Sequence, residues 1–357
     1  VTKILFILKY RENDYGEERR PYSQGLSSGL FNSASYISDA LRPQFETELV
    51  QVADNNCIDR EVTRFRPDVV IIEAYWVVPE KFAVLTKLHP NVQWIIRNHS
   101  NSPFLANEGI AYGWSTEYVK HPNVWISSNH PAAQQEFKDL LRVVFDSKFG
   151  ARFQKAVYTP NYYPVPDEVP TYAPYADRSS IDIGCFGAIR PLKNQMIQAL
   201  AAIEWSRQNG KFLRFHMNGS RVEGKGDPIL KNLQSLFSNI ETAKLIEHPW
   251  LSRAEFLTLV AKMDLGLQVS FSETFNIVAA DFAVCGVPIV VSPEIDWVDH
   301  RFRANPTSVE SICAAISKAL TTHGWVHKDR TIETLRLRNA EALSAWETGI
   351  DTVLAMS

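Results

Sequence analysis

The residues best able to do chemistry lie in the second half of the chain. Glu273 and Asp281 stand eight residues apart in Ser270-Phe-Ser-Glu-Thr-Phe-Asn-Ile-Val-Ala-Ala-Asp-Phe-Ala-Val-Cys-Gly-Val-Pro288. The segment reads as a strand end, a polar turn, a helix, and a Gly-Val-Pro exit into the next strand. A helix starting here would present N–H groups near Thr274, Phe275, Asn276 and Ile277, an electropositive seat for a diphosphate. On one helix, Glu273 and Asp281 would lie roughly 12 Å apart along the axis and on neighbouring faces. Two carboxylates so placed can accept hydrogen bonds from two sugar rings bracketing a diphosphate. A lone Glu273 would be a helix-end carboxylate favoured by the macrodipole.

Two cations occur in the same half. Gly184-Cys-Phe-Gly-Ala-Ile-Arg-Pro-Leu-Lys-Asn194 reads as a strand, a glycine turn containing Gly187, and Arg190 and Lys193 three residues apart at a helix start, with Asn194 behind them. When a glycosidic bond to diphosphate breaks, negative charge develops on the β-phosphate, and such a pair can stabilise it. A solvated helix start is the plain alternative. The chain has no Asp-x-Asp triplet, so the expectation is a site without a catalytic metal or resident cofactor. His216-Met-Asn-Gly-Ser220 and His248-Pro-Trp-Leu-Ser252 each read as a strand running into a turn.

In the first half, Ile95-Ile-Arg-Asn-His-Ser100 places Arg97 and His99 at a strand's carboxyl end, facing a cleft, with Glu73 at the end of the preceding strand. Gly25 and Gly29, in Ser23-Gln-Gly-Leu-Ser-Ser-Gly-Leu-Phe-Asn32, would let the backbone approach a ligand. This is not the Gly-x-Gly-x-x-Gly dinucleotide fingerprint, which disfavours an NAD enzyme.

These residues need strands and helices to carry them, and the sequence supplies an alternating rhythm. Short apolar runs at Lys3–Leu8, Glu48–Val52, Val69–Glu73, Gln93–Arg97 and Val124–Ser127 alternate with helix-period segments such as Leu30, Ala34, Ile37 and Leu41. Prolines 160, 164, 166, 170 and 174 then interrupt the pattern. A second series follows, with strands at Ile181–Phe186, Phe212–Met217, Lys244–His248, Leu265–Val269 and Pro288–Ser292. Its helices fall at Asn194–Gln208, Pro228–Phe237, Arg253–Lys262 and Phe275–Val284. The expected fold class is α/β: two Rossmann-like, doubly wound parallel-sheet domains facing across a cleft. The boundaries are 1–160 for an acceptor-side domain, 161–178 for a proline-rich linker, 179–330 for a donor-binding domain, and 331–357 for a C-terminal helix packing back across the junction.

The donor segment resembles the retaining glycosyltransferases of the GT-B architecture that carry a Glu-x7-Glu motif. Their pattern, Ser-x-x-Glu-x-Phe-Gly-x-x-x-x-Glu-Ala-x-Ala-x-Gly-x-Pro, is followed closely from Ser270 to Pro288, except that Asp281 replaces the second Glu and Asn276 replaces a Gly. The resemblance implies a donor site at Glu273, Asp281, Arg190 and Lys193, a nucleotide approach at Gly219, and a base held near His248–Ser252. It also implies a UDP-sugar donor, retention of configuration, and a His99 contact to the transferred sugar or nearby backbone. Leu343-Ser-Ala-Trp-Glu347 resembles the family's C-terminal Ser-Trp-Glu element. Asp54–Glu61, Arg66–Glu73 and Asn107–Ile110 resemble glycosyltransferases encoded by large tailed phages, which would make a modified base in DNA the acceptor, extruded into a pocket. The rival readings are a non-catalytic sugar-nucleotide-binding protein and a sugar-nucleotide epimerase of the same architecture.

Bulk properties narrow the field. A formal charge of -3 offers no global attraction to nucleic acid or an anionic membrane. The 45% hydrophobic and 22% charged residues suffice for substantial cores. Cys57, Cys185, Cys285 and Cys313 form no Cys-x-x-Cys pair, favouring a reducing compartment and small buried thiols. The Lys3–Leu8 run is too short for a signal peptide's layout and Glu73 interrupts the strongest apolar stretch. The expectation is a cytoplasmic enzyme without integral membrane contact, in the host cytoplasm if phage-encoded.

Overall fold

The computed structural model describes residues 1–10, 29–145, 154–167, 178–321 and 324–356. These fall into two compact units. The first holds 1–10, 29–145, 154–163 and 338–356, and the second holds 164–167, 178–321 and 324–337.

The first unit runs β1 (Lys3–Lys9), α1 (Gly29–Leu41), β2 (Glu46–Val52), α2 (Ile58–Phe65), β3 (Val69–Glu73), α3 (Phe82–Leu88), β4 (Gln93–Asn98), α4 (Ser102–Glu108), α5 (Ala111–Tyr118), β5 (Val124–Ser128), α6 (Pro131–Val144) and β6 (Ala156–Tyr158). Among the described residues its six strands are all parallel, in the order β2-β1-β3-β4-β5-β6. Both faces are covered, so the central strands read as continuous apolar runs; every residue of β3, β4 and β5 is buried. Alternate side chains feed two cores. Leu5, Ile7, Val70, Ile72, Trp94 and Ile96 enter one, while Ile4, Phe6, Val69, Ile71, Ile95 and Trp125 enter the other.

The second unit runs β7 (Ser180–Gly184), α7 (Gln195–Gln208), β8 (Phe212–Asn218), α8 (Asp227–Ser238), β9 (Ala243–His248), α9 (Arg253–Val260), β10 (Leu265–Gln268), α10 (Ile277–Val284), β11 (Ile289–Val291) and α11 (Val309–Thr321). Its five described strands are parallel in the order β11-β10-β7-β8-β9. A long helix, α12 (Gly324–Ala355), begins in this unit, and from Arg338 its residues belong to the first. There Trp346, Ile350 and Val353 join the core beside Ile4 and Phe6.

The α/β expectation therefore holds, with strand limits within two residues of the sequence reading. Four details differ. α12 starts at Gly324, ahead of the expected 331. β6, a three-residue edge strand, stands just before the proline-rich stretch. α11 adds a helix that the sequence reading does not name. The first unit also continues to Tyr163, past the expected boundary at 160, because Tyr163 is bonded to Asn339: its N–H donates to Asn339 Oδ1 (3.1 Å), and Asn339 Nδ2 donates back to its carbonyl (2.6 Å).

In each sheet the strand order reverses at one place, between β1 and β3 in the first and between β7 and β10 in the second. The carboxyl ends of the strands flanking such a reversal are where open α/β sheets take ligands.

Candidate functional site

At the second unit's reversal, the loops after β7 and β10 bring Lys193 and Glu273 together. These residues are 80 positions apart in sequence, and their side chains form an ion pair. Lys193 ends a short 3-10 turn, Pro191–Lys193. Glu273 stands in the turn before α10, where Ser270 Oγ donates to its Oε1 (3.0 Å). The loops are also joined through backbone, Phe271 N–H to Leu192 O (2.9 Å). The side chains are 14% and 8% exposed, enough to reach a ligand. Burial holds the Lys193 ammonium below the ordinary lysine value; Glu273 opposes the shift, and nearby Arg190 adds to it. Arg190 pairs at 3.7 Å with Glu223, which also accepts from Arg221 Nε (2.6 Å), and Arg221 lies over the Trp250 ring at 4.2 Å. The site thus has two cations and a carboxylate at the mouth of one sheet.

Buried amides hold these loops, and the sequence reading missed this. Asn194 has a left-handed backbone (φ 58°), and its Nδ2 donates to Val269 O (2.9 Å) and Pro306 O (2.8 Å). Gln198 Nε2 donates to Lys193 O (2.8 Å), while its Oε1 accepts from Val269 N–H (2.8 Å). Gln268 Nε2 donates to Phe186 O (3.0 Å), and its Oε1 accepts from Asn276 Nδ2 (2.9 Å). Each amide bridges the two loops or anchors one to a strand, satisfying backbone groups that would otherwise be buried unpaired. Asn194, expected among the donor contacts, has both amide hydrogens engaged on backbone carbonyls.

Other expected donor residues are also placed differently. The helix begins at Ile277 rather than Phe275, because Asn276 adopts φ 60° and caps α10 by accepting from Ala279 N–H (2.9 Å). Glu273 is therefore outside the helix, and the single-helix spacing expected between it and Asp281 does not apply. Asp281 is buried on α10 and pairs with Arg253 at 2.5 Å. Phe275 packs inward: its ring stacks on Trp297 at 5.5 Å, and its carbonyl accepts from Trp297 Nε1 (2.8 Å). Thr274 is buried beside it. Gly187 takes φ 112°, a conformation that a side chain would strain, and its N–H donates to Asn218 Oδ1 (2.8 Å). At Gly219 a Cβ would meet Glu247 Oε2 at 2.3 Å. The close approach expected there for a nucleotide is made by the Glu247 side chain.

The first unit has its own polar cluster at the carboxyl ends of β3 and β4. Glu73 and Arg97 are register partners and are both fully buried. Arg97 Nη1 donates to Glu73 Oε1 (3.1 Å), and Glu73 Oε2 lies 2.5 Å from His99 Nε2. The expectation that Arg97 faces a ligand is corrected: it is 0% exposed, and its other donors are taken by Thr159 O, Pro160 O and Asn161 Oδ1. His99 keeps a 16% exposed edge. Burial would raise the Glu73 carboxyl, but the charges on Arg97 and His99 and their hydrogen bonds hold it below the ordinary carboxylate value. Burial, with Arg97 nearby, pulls the His99 imidazole below its usual value against the influence of Glu73. Gly29 opens α1 instead of standing in the preceding loop; Gly25 lies outside the described residues.

Among the described residues, no group of three or more His, Cys, Asp or Glu side chains is arranged to hold a metal ion. Nor is any described helix long and apolar enough to cross a membrane. The four cysteines are free, and burial pushes the Cys185 thiol up to about 12, leaving it unreactive.

No protein-family model and no curated protein matches the sequence. Solved structures do. The chain is similar to a UDP-forming α,α-trehalose-phosphate synthase from Burkholderia vietnamiensis, at 11% identity over 100% of this chain and 98% of that one, with a TM-score of 0.65. It is similar to a trehalose-6-phosphate structure from E. coli bound with UDP-2-fluoro glucose, at 11% identity over 98% and 99% of the two chains, TM-score 0.65. It is also similar to an S. aureus TarM mutant in complex with fondaparinux, α-GlcNAc-glycerol and UDP, at 11% identity and TM-score 0.57, covering 81% of this chain and spanning 57% of that one. At such identities the likeness establishes the fold, two parallel-sheet α/β domains of the GT-B kind.

Proposed function

We propose that the protein is a glycosyltransferase that moves a sugar from a nucleoside-diphosphate sugar, UDP-linked by preference, to an acceptor hydroxyl with retention of configuration. The observation that carries this reading is the meeting of Lys193 and Glu273, with Arg190 close by, at the reversal of the second sheet. The fold likeness to structures holding UDP or a UDP-sugar supports it. On this reading, Lys193 and Arg190 meet the diphosphate and stabilise the charge that develops on its β-phosphate as the glycosidic bond breaks. Glu273 accepts hydrogen bonds from the sugar. The acceptor oxygen bonds to the anomeric carbon on the face the phosphate leaves, and its proton passes to the departing phosphate oxygen.

The test is direct. Purified protein is incubated with a panel of UDP-sugars, and melting temperature, UDP release and product anomer are measured. A ligand that binds the native state raises its apparent stability, so at least one UDP-sugar should shift melting and release UDP. No shift and no release across the panel would defeat the proposal. For the acceptor we propose a modified base in DNA, on the first-half sequence resemblance alone. Label should pass from the donor to a hydroxymethylated oligonucleotide and not to its unmodified counterpart.

One observation favours a second reading, a sugar-nucleotide-binding protein without turnover: Asp281, the shorter replacement for the motif's second Glu, is engaged by Arg253. Strong UDP-sugar stabilisation with neither hydrolysis nor transfer would select it.

A further inference from the structure

The loop that carries Arg190 is tied to the loop after β8, and the tie sets a carboxylate beside the cation. Ile189 and Val222 form an isolated parallel bridge, in which Ile189 N–H donates to Arg221 O (2.9 Å) and Glu223 N–H donates to Ile189 O (2.9 Å). The next residues along the two segments are Arg190 and Glu223, and their side chains pair at 3.7 Å. The chain then turns back at once: Gly226 N–H donates to Glu223 O (3.0 Å), and a Cβ at Gly226 would meet Ile189 O at 2.1 Å. The backbone thus determines where Glu223 stands.

Its side chain is oriented as well. Glu223 Oε1 accepts from Arg221 Nε (2.6 Å), and the Arg221 guanidinium rests over the Trp250 ring. Oε2 is the oxygen turned to Arg190 Nη1. At 3.7 Å this contact is longer than a hydrogen bond, so charge alone holds it. The Arg190 and Glu223 side chains are 28% and 22% exposed, and an anion from solvent can reach the same cation.

We propose that Glu223 is the resident counter-ion of Arg190: it offsets the charge of the empty site and opposes a diphosphate there, so that a spent nucleoside diphosphate is held less tightly and leaves sooner. The identity of that ligand rests on the glycosyltransferase reading, whereas the opposition to a diphosphate does not. A purely structural role, with Glu223 stapling the two loops through Arg221, predicts the opposite sign. Loss of a staple loosens Arg190 and weakens anion binding; loss of a counter-ion strengthens it.

The test is UDP binding to the full chain, measured by calorimetry at low salt. Glu223→Gln should bind UDP roughly tenfold more tightly than wild type, the scale of removing one charge several ångströms from another in partly exposed surroundings. The gain should shrink in high salt, which screens such charges. Glu223→Ala removes the same charge and should agree in sign, so the result does not hang on one variant's folding. Glu223→Asp keeps the charge and should show no gain. In turnover with a UDP-sugar, inhibition by added UDP should set in at correspondingly lower concentration in Glu223→Gln. Weaker or unchanged UDP binding in the charge-removing variants, or an equal gain in Glu223→Asp, overturns the proposal and leaves the glycosyltransferase reading standing. A wild-type protein that binds no UDP and turns over no UDP-sugar defeats that reading instead. Inorganic pyrophosphate, the bare diphosphate, then decides for Glu223: tighter binding in Glu223→Gln keeps the counter-ion role, and weaker, equal or no binding overturns it.

Discussion

In the first unit, Glu73 meets Arg97 where solvent does not reach, and five acceptor atoms besides a ring face hold the guanidinium. In the second unit, Glu273 meets Lys193 with part of both side chains exposed, and a lone ammonium on a flexible stem makes the contact. Both pairs stand at the carboxyl ends of strands: Glu73 ends β3, which flanks the first sheet's reversal, with Arg97 on the adjacent β4, and Lys193 and Glu273 follow β7 and β10, which flank the second. Their difference is in what can be exchanged. Removing any member of the first pair strands a charge in the interior, so that pair can only be structural support. On the proposed function, the second pair would open when a diphosphate takes Lys193 and sugar hydroxyls take Glu273.

The largest expected effect tests the rigid side of this contrast. Arg97→Met leaves Glu73 buried without its cation and removes the hydrogen bonds to Thr159, Pro160 and Asn161. Breaking a buried pair in this way costs about 3–5 kcal/mol. Denaturant titration should show that loss, and a change under about 1 kcal/mol would mean that the cluster is far less locked than its geometry implies.

Lys193→Met should reverse the balance between stability and turnover. Glu273 loses its partner but keeps solvent and the Ser270 hydroxyl, so stability should fall by no more than about 1–2 kcal/mol. Turnover of a UDP-sugar should fall roughly a hundredfold or more, the scale of a lost charge-stabilising contact in the transition state. If the variant is severely destabilised while the surviving folded protein turns over normally, the two pairs are alike and the contrast fails.

Much of the fold was readable because of where the strands lie. A strand buried on both faces is apolar throughout, so β3, β4 and β5 stood out, and their limits were readable to within a residue. β6 was not readable, since three residues before a proline cluster show no period. Lys193 and Glu273 were singled out by residue type and spacing together with the family resemblance, and a parallel-sheet fold with a reversal between β7 and β10 brings their loops together. The buried partners of Arg97, Asn194, Asn276 and Asp281 were not readable for one shared reason. A polar side chain at a strand end or helix start suits a ligand or a buried neighbour equally well, and only the tertiary structure supplies the neighbour. For Arg97, the register that sets it beside Glu73 is that missing information; for Asp281 it is the position of Arg253 on another helix.

Asn276 offers the finest test of support against contact. Its left-handed backbone is one that asparagine tolerates and glycine adopts freely, and glycine is the residue the resembling family places there. The Asn276 side chain caps α10 and bonds to Gln268, whose other end holds Phe186 O. Asn276→Gly therefore relieves the backbone while losing the cap and the amide bridge, and these opposing terms should leave stability within about 1 kcal/mol of wild type. Asn276→Ala loses the same bonds and adds backbone strain, so it should cost about 1–2 kcal/mol. If Asn276 only supports the loop that carries Glu273, UDP-sugar affinity measured by calorimetry should stay within about threefold of wild type in the glycine variant. A drop of tenfold or more, about 1.4 kcal/mol, would make its side chain a donor contact and move it from the fixed part of the site to the exchangeable part.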